Sequence, residues 1–407
     1  MKKFNLSIAL LLTATLLQAN SQKSSTTTLA DALSNGTVSG QIRAGYISIN
    51  PKFVGDPTLN STAIGGQLKY QSDKLYGLNF GVAFYISQSI DALTNSGDDG
   101  AINDELFGET GHYTLLAQAY VDYEYENFQL RIGRQLIDTP YAESDDIRMT
   151  PNTFEALIAT YNYEDFTFWG GCFTRWQGPD AGSYEFEDLT EDGDSVTLLA
   201  TTYADDTIET SLWYYYAEHM AHIFYGDIAS HSMLGEFKFT GALQVASQSE
   251  IDDSGIDASL YGAKAEVEYA GVTLGLAYNR LRVDATKEYF CGFGGGVGFI
   301  NMFEMTAGVF TAQQSASGYK ATLRYDFEVL GVDGLSITYD YGHFKGDREY
   351  EENEHNLILA YAPSQHWDIE LLYDSIDDRE KNIAQDSLGS QIDYSLDRVF
   401  ARLNYNF

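Results

Sequence analysis

The chain has 407 residues, with 59 Asp and Glu against 24 Lys and Arg, and its formal net charge is −35. Such an acidic chain excludes nucleic-acid binding as the main function, because phosphate binding needs clustered Lys and Arg. Two cysteines exclude a disulfide-dense scaffold and a Cys-rich zinc domain. The 30 Tyr, 23 Phe and 37 Gly, set against only 6 Pro, favour strands over disordered linkers.

Residues 1–19 have the pattern of a secretory signal peptide. Lys2 and Lys3 supply the positive start, an apolar stretch follows from 6 to 17, and cleavage is expected near residue 19. The stretch is shorter than the roughly 20 apolar residues that a membrane helix needs. The mature chain is therefore expected to be exported, either as a soluble protein or as membrane-spanning strands. Residues 20–36 are expected to form a short periplasmic segment with about two helical turns.

The C-terminal strand helps to distinguish a soluble protein from a membrane barrel. From Val399 to Phe407 apolar and polar residues alternate, and the chain ends on an aromatic ring. Chain ends usually fray, so a strand that stays amphipathic to its last residue is unusual. This ending resembles the assembly signal of bacterial outer-membrane barrels, with Phe407 as the candidate signal residue. Soluble antiparallel sheets alternate as well, so the ending favours a barrel without deciding the question.

The same alternation recurs along the whole mature chain. The connections between strands are alternately short turns and long acidic or Gly-rich loops. We predict an all-β fold, a transmembrane antiparallel β-barrel over residues 37–407 with about 18 strands, short periplasmic turns and long extracellular loops. The expected strands are 37–50, 62–71, 78–89, 114–125, 128–136, 155–163, 166–176, 195–203, 207–216, 231–239, 242–250, 258–269, 272–283, 318–328, 335–345, 355–362, 366–375 and 393–407.

Several segments resemble the OprD-type family of bacterial outer-membrane porins. Gly133-Arg134-Gln135, Asp138-Thr139-Pro140 and residues 146–155 resemble the family's third-loop region, 38–43 resembles its first strand, and 292–296 resembles its seventh long loop. The resemblance implies an eighteen-stranded barrel with a narrow pore. It also implies long loops that fold inward, and a ladder of basic side chains that guides small carboxylate-bearing solutes.

The third-loop region holds the candidate constriction. Its expected members are Asp145, Asp146, Arg148, Asn152 and Glu155, which place charges of both signs within a few residues. Two prolines in the region push the residues before them toward extended geometry. Bent inward, such a loop would present a charged constriction. The alternative is an ordinary solvated external loop with a local Asp–Arg pair.

Strand alternation predicts which charged side chains face the lumen. Arg or Lys on the lipid face costs roughly 2–4 kcal/mol at the membrane midplane, so inward positions are favoured. The expected pore-lining basic ladder is Arg43, Arg131, Lys320, Arg324, Arg398 and Arg402. Acidic residues such as Asp122, Asp340 and Glu370 share the inward positions. The alternative is therefore a mixed-charge lumen whose ion pairs stiffen the wall and select little.

Other features carry less weight, and no catalytic residue set, cofactor or metal site is predicted. Acidic loop tips at 98–99, 191–194 and 252–253 could bind Ca²⁺, although solvated loop charge is the simpler explanation. His219 and His222 would form a metal pair only on a helix. Export would permit a disulfide between Cys172 and Cys291, and their separation is open.

The preferred function is an outer-membrane porin, a narrow water-filled channel for small hydrophilic solutes. Small carboxylates or amino acids are the solutes that the resemblance suggests. An outer-membrane barrel enzyme would need a nucleophile–base set, and no such spacing stands out. A secreted surface adhesin would leave the terminal strand unexplained. The expected partners are membrane lipid, lipopolysaccharide and the barrel assembly machinery, and a homotrimer is an open alternative to a single barrel.

Overall fold

The computed structural model describes residues 26–52, 57–94, 103–190, 195–284, 286–303, 314–347, 351–379 and 395–407. The predicted signal peptide, residues 1–19, lies outside these ranges. Two 3-10 turns occur at Asp91–Leu93 and Phe327–Leu330. The remaining elements are α1 (Leu29–Ser34), β1 (Thr37–Pro51), β2 (Leu59–Gln71), β3 (Leu78–Ser89), β4 (His112–Tyr125), β5 (Phe128–Gln135), β6 (Asp138–Thr139), β7 (Ala142–Glu143), β8 (Thr153–Tyr163), β9 (Phe166–Gly178), β10 (Ser183–Asp188), β11 (Val196–Ala204), β12 (Ile208–Ala217), β13 (Ala221–Leu234), β14 (Phe237–Glu250), β15 (Ala258–Tyr269), β16 (Val272–Val283), β17 (Ala316–Asp326), β18 (Leu335–Gly346), β19 (Glu351–Ser364), β20 (Trp367–Asp378) and β21 (Leu396–Asn406).

The strands close into a single antiparallel barrel. Each wall strand pairs with the next along the chain, and β21 returns to pair with β1, where Ala44 lies opposite Leu403. The described wall holds eighteen strands, since β6 and β7 pair only with each other and β10 only extends the sheet beside the end of β9. The predicted antiparallel barrel and its strand number are confirmed.

The two faces of the wall differ in polarity and exposure. On β16, Leu276 is 67% exposed and the adjacent Ala277 only 7%. Leu274 and Tyr278 share the exposed face of this strand, whereas Leu281 is buried. Successive side chains of a strand point to opposite faces, so the exposed apolar face forms the lipid-facing belt of a membrane barrel. None of the helices in the described ranges is long and apolar enough to cross a membrane.

Aromatic rings cluster where the short turns lie. The rings of Phe237 and Tyr269 stack with their centroids 4.5 Å apart, and those of Trp367 and Tyr405 lie 4.8 Å apart. Rings at this depth suit the boundary between lipid and water. Phe407 is tied to β1 by two backbone hydrogen bonds and keeps 48% of its surface exposed. Its role in assembly stays a prediction.

Most predicted turns occur as expected, and one region differs. The two-residue turns at 126–127, 164–165 and 270–271 begin with left-handed residues of φ 51°, 52° and 48°, which tight hairpins require. The predicted strand 231–239 and the turn after it are wrong. Residues 240 and 241 lie inside β14, and the turn falls at Gly235, whose φ is 62°. A glycine tolerates this conformation without strain, and alternation alone did not locate it.

Candidate functional site

Two long loops fold into the lumen. The third loop, L3 (residues 136–152), joins β5 to β8. The seventh, L7 (residues 284–315, described at 284, 286–303 and 314–315), joins β16 to β17. Tyr141 of L3 and Phe293 of L7 belong to one buried cluster with inward-facing wall residues. The described parts of both loops therefore narrow the barrel from within.

Aromatic packing holds the first half of L3. Tyr141 is 1% exposed, and its ring centroid lies 5.6 Å from that of Tyr215 and 6.4 Å from that of Tyr225, both on the wall. The hydroxyl oxygens of Tyr141 and Tyr289 of L7 lie 3.1 Å apart. We call these four tyrosines the apolar anchor. Its stabilisation comes chiefly from area removed from water, so it does not depend on ionised groups.

Backbone hydrogen bonds join L3 to L7. The amide of Glu143 donates to the carbonyl oxygen of Phe293, and the amide of Phe293 donates to that of Tyr141, both at 3.0 Å. A Cβ at Gly294 would lie 2.6 Å from the backbone oxygen of Glu143, and one at Gly295 would lie 2.2 Å from its Oε2. Gly294 is thus required for the close approach of the two backbones, and the two loops form one constricting unit.

Charged groups hold the second half of L3 against β1 and β21. Nη1 and Nη2 of Arg43 each donate to the Asp146 carboxylate at 2.6 Å, and Nη1 also donates to the backbone oxygen of Arg148 at 2.7 Å. Nε of Arg43 donates to Oδ1 of Asn404 at 2.7 Å. Arg402 donates to the backbone oxygen of Asp146. We call Arg43, Asp146 and Arg402 the ionic anchor. Since Arg43 is 1% exposed, it fixes the loop and offers little surface to solutes.

Arg148 extends this charged side toward the second loop, L2 (residues 90–111, described to 94 and from 103). Its Nη2 lies 2.6 Å from Oε2 of Glu105. The guanidinium groups of Arg148 and Arg398 lie 5.3 and 5.4 Å from the centroid of the Phe303 ring, within cation–π range. Burial alone would raise the pKa of Glu105, but Arg148 and Arg398 outweigh it and hold that pKa below the usual value. Glu105 is therefore ionised and balances these arginines.

Two carboxylates, Glu143 and Asp145, occupy the turn between the two halves of L3, and a third, Asp180, approaches them from another loop. Nδ2 of Asn152 donates to Oδ2 of Asp180, in the loop after β9, at 2.6 Å, and to the backbone oxygen of Glu143 at 3.2 Å. Burial, reinforced by nearby carboxylates, raises the pKa of Glu143 to about 7 and that of Asp145 to about 8. Burial also raises the pKa of Asp180. We call Glu143, Asp145 and Asp180 the acidic cluster, in which the charges of Glu143 and Asp145 change near neutral pH.

The six predicted ladder residues are placed on the lumenal side, and most have an acidic neighbour. Nζ of Lys320 donates to the backbone oxygen of Asn301 in L7 at 2.8 Å, and the carboxylates of Asp340, Glu266 and Glu354 act electrostatically on its charge. Acid–base approaches of the others include Arg43–Asp146 at 2.6 Å, Arg131–Asp122 at 3.3 Å, Arg324–Asp326 at 3.9 Å, Arg398–Glu105 at 4.0 Å and Arg402–Glu370 at 3.5 Å. The lumen thus combines the ladder positions with the mixed charge of the alternative.

Four of the five predicted constriction residues lie in L3, and Glu155 does not. Glu155 lies on β8, where its carboxylate is 2.8 Å from Arg134 and 3.8 Å from Arg175. Its neighbours Phe154 and Ala156 are both buried in the lumenal cluster. Glu155 therefore belongs to the wall strand and not to the loop, beside a bulge in the β8–β9 pairing, and its role in the constriction stays a prediction. The matching sequence segment runs past the end of the loop into the strand.

Sequence reasoning missed the contacts between loops. Tyr141 follows the proline of the matched third-loop motif, and its aromatic character was the one available signal. Glu105 lies 43 residues from Arg148 in the chain, and no local pattern marks it. Phe303 and Glu143 likewise gain their roles only when L7 and L3 meet.

The minor predictions have separate outcomes. Among the described residues, no group of three or more His, Cys, Asp or Glu is arranged to hold a metal ion. His219 lies in the turn after β12 and His222 lies in β13, so the helix that a metal pair would need is not present there. The loop tips 98–99 and 191–194 fall outside the described residues. Cys172 and Cys291 are free thiols.

A closed membrane barrel that its own loops narrow has the architecture of an outer-membrane porin. The family described as outer membrane porin, OprD family, matches residues 101–374. The fold is similar to that of Pseudomonas aeruginosa OpdK, solved with vanillate, at 16% identity over 92% of this chain and 99% of that chain, with a TM-score of 0.74. It is also similar to a BenF-like porin from Pseudomonas fluorescens Pf-5, at 15% identity over 92% and 100%, with a TM-score of 0.75.

Pseudomonas aeruginosa OccK9 (OpdG) is similar at 16% identity over 92% of this chain and 99% of that chain, with a TM-score of 0.75. Among the curated proteins no match was found. Identities this low carry the fold alone, whereas the family match spans more than half of the chain. The chain belongs to the OprD family of outer-membrane porins, and it is a channel protein of the bacterial outer membrane.

Proposed function

We propose that the channel is a narrow diffusion pore for small hydrophilic solutes that carry a carboxylate, with amino acids as the best candidates. The observation that carries the proposal is the hold on L3, whose second half is bound to the wall through Arg43 and Asp146. A loop held on both sides keeps the pore narrow, and selection then depends on pore radius and lining charge.

The charge around L3 favours a solute with both signs of charge. Arg402 donates a hydrogen bond to the backbone oxygen of Asp146 in L3 and lies close to the carboxylate of Glu370. A zwitterion could exchange partners with such pairs without leaving a charge unpaired, which a simple anion could not do. OpdK, solved with vanillate, supports the carboxylate half of this assignment. Family and fold indicate a channel rather than an enzyme.

The proposed roles of the basic residues divide into two groups. Arg131, Lys320, Arg324 and Arg402 guide solutes, whereas Arg43 and Arg398 hold loops, because both are 3% exposed or less. Within the constriction, Asp145, Asp146, Arg148 and Asn152 set the charge and shape. Residues 1–19 direct export, Phe407 is read by the barrel assembly machinery, and lipopolysaccharide surrounds the barrel. Whether three copies associate stays an open alternative.

A planar bilayer with a salt gradient tests the proposal. We expect stepwise currents, and liposomes that contain the protein should take up alanine faster than acetate or choline. The Arg402→Gln variant should slow alanine entry more than choline entry. Wild-type protein that inserts into the bilayer but gives no stepwise current would contradict the channel function. Equal uptake of the three solutes would contradict the preference for zwitterions alone.

A further inference from the structure

The helix α1 lies at the periplasmic rim, against the outward face of the wall. The hydroxyl of Tyr70 on β2 donates to the backbone oxygen of Leu33 at 2.5 Å. The amide of Asp73 donates to the backbone oxygen of Ala32 at 3.0 Å. Tyr70 pairs with Val38 in the β1–β2 register, and Val38 is 62% exposed on the apolar face. The helix is therefore fastened to the side of the barrel that faces lipid, near the ring of interfacial aromatic residues.

One face of α1 is apolar and another is polar, as a helix at a membrane surface requires. Leu29 and Leu33, four residues apart and so on one face, are 63% and 43% exposed. Ala32 is 2% exposed and turns toward the barrel. Asp31 and Ser34 lie on the side opposite the leucines. Two exposed leucines in water would be unfavourable, whereas lipid would cover them.

We propose that α1 is a membrane-surface helix, and that Leu29 and Leu33 insert between the phospholipids of the periplasmic leaflet. The occupant follows from continuity, because the backbone of Leu33 is bonded to Tyr70 of β2, and Tyr70 pairs with the lipid-facing Val38 of β1. Thr28 caps the helix by accepting from the amide of Asp31 at 3.1 Å, which keeps the face in place. The helix then anchors the start of the barrel to one leaflet.

Spin labels on the two faces test this assignment in the full-length protein. The background is Cys172→Ser with Cys291→Ser, and the label is attached at Leu33→Cys, with Ser34→Cys as the matched control on the polar face. The protein is reconstituted in phosphatidylethanolamine–phosphatidylglycerol vesicles. Collisions with oxygen, which concentrates in lipid, are compared with collisions with a water-soluble nickel chelate. We expect the oxygen-to-nickel ratio to be several-fold higher at position 33 than at position 34.

Two results would overturn the proposal. One is equal access of the nickel chelate to both positions, which would mean that the leucine face lies in water. The other is dipolar broadening at position 33 that disappears on dilution with unlabelled protein, which would mean that a second copy covers the face. Leu29→Cys repeats the measurement on the same face, so a poorly folded Leu33 variant does not decide the outcome. Neither result depends on which solutes the pore passes.

Discussion

The two halves of L3 are held by different forces. At Tyr141 the loop is held by edge-on contacts with the rings of Tyr215 and Tyr225 and by the hydroxyl contact with Tyr289, all shielded from water. At Asp146 it is held by the guanidinium of Arg43 and the donor group of Arg402. Apolar packing is indifferent to pH and to moderate salt. Ion pairs respond to both and to competing charged solutes. The apolar anchor therefore fixes the position of the constriction. The ionic anchor determines how the constriction responds to pH, salt and charged solutes.

The acidic cluster lies between these anchors and belongs fully to neither. Glu143 is joined to L7 through its backbone, while its carboxylate is pressed toward Gly295. Burial of several carboxylates together disfavours the charged form. The middle of the loop is thus the part whose charge changes most easily, although its backbone is held on both sides.

Removing the apolar anchor should have the largest effect. Tyr141→Ala deletes a buried ring and leaves a cavity, which costs about 3–5 kcal/mol for a fully buried aromatic residue. We expect L3 to leave L7, with a larger single-channel conductance and more current noise. Tyr141→Phe keeps the ring and loses the hydroxyl contacts with Tyr289 and Gln248, so it should stay much closer to wild type than Tyr141→Ala. Equal conductance in Tyr141→Ala and wild type would show that the aromatic packing does not set the pore width.

Breaking the ionic anchor should follow in size. Arg43→Leu leaves the Asp146 carboxylate without its main partner, at a cost of about 3 kcal/mol, near the lower end for buried pairs. The end of L3 should then fluctuate, and single-channel recordings should show frequent substates. Arg131→Leu is the matched control, because its partner Asp122 lies on the wall and not in L3. Substates of equal frequency in both variants would contradict a specific role for Arg43.

The acidic cluster should make selectivity depend on pH. The pKa values of Glu143 and Asp145 are raised to about 7 and about 8, so the folded loop holds more protons than the unfolded chain between about pH 4 and pH 8. The packed arrangement of the loop is therefore most stable at the acidic end and weakens as pH rises through that window. Carboxylate charge in the constriction also increases, so reversal potentials should shift toward cations between pH 6 and pH 9.

Glu143→Gln combined with Asp145→Asn is the control for the pH effect. This variant should give a nearly constant reversal potential across the pH range, close to the value of wild type at pH 6. A double variant with the full wild-type pH dependence would assign the titration to other groups.

The smallest effect is expected at the exposed edge of the ionic anchor. Arg402→Gln removes one positive charge from the lumen, since the side chain of Arg402 is 13% exposed and lies 3.5 Å from Glu370. We expect a modest shift of the reversal potential toward cations in 0.1 M KCl that largely disappears at 1 M, because salt screens it. Arg398→Gln is the comparison, since Arg398 lies nearly buried beside Phe303 and should alter the current little through charge alone.

The strands of the barrel could be predicted from local sequence patterns. A side-chain period of two and tight turns are properties of neighbouring residues, so the strands around residues 78–89 and 272–283 were predicted with their observed bounds. Where a turn depended on one glycine between apolar residues, as at Gly235 between Leu234 and Phe237, the predicted turn was misplaced. Glu155 was misplaced for a related reason, because sequence similarity does not mark where a loop ends and a strand begins.

By itself the sequence determined that apolar and polar residues alternate along the strands, that Arg43 and the other ladder positions lie on the polar face, and that a long loop occupies residues 137–154. The family resemblance added that this loop was the candidate constriction. Only the tertiary structure decided what those residues do. Arg43 and Asp146 are 103 residues apart, and Tyr141 and Tyr289 are 148 apart. Such pairs meet only because barrel closure brings distant strands and loops together. The register that makes an arginine face inward is local, but whether it meets a solute or a buried carboxylate depends on which loop fills the lumen beside it.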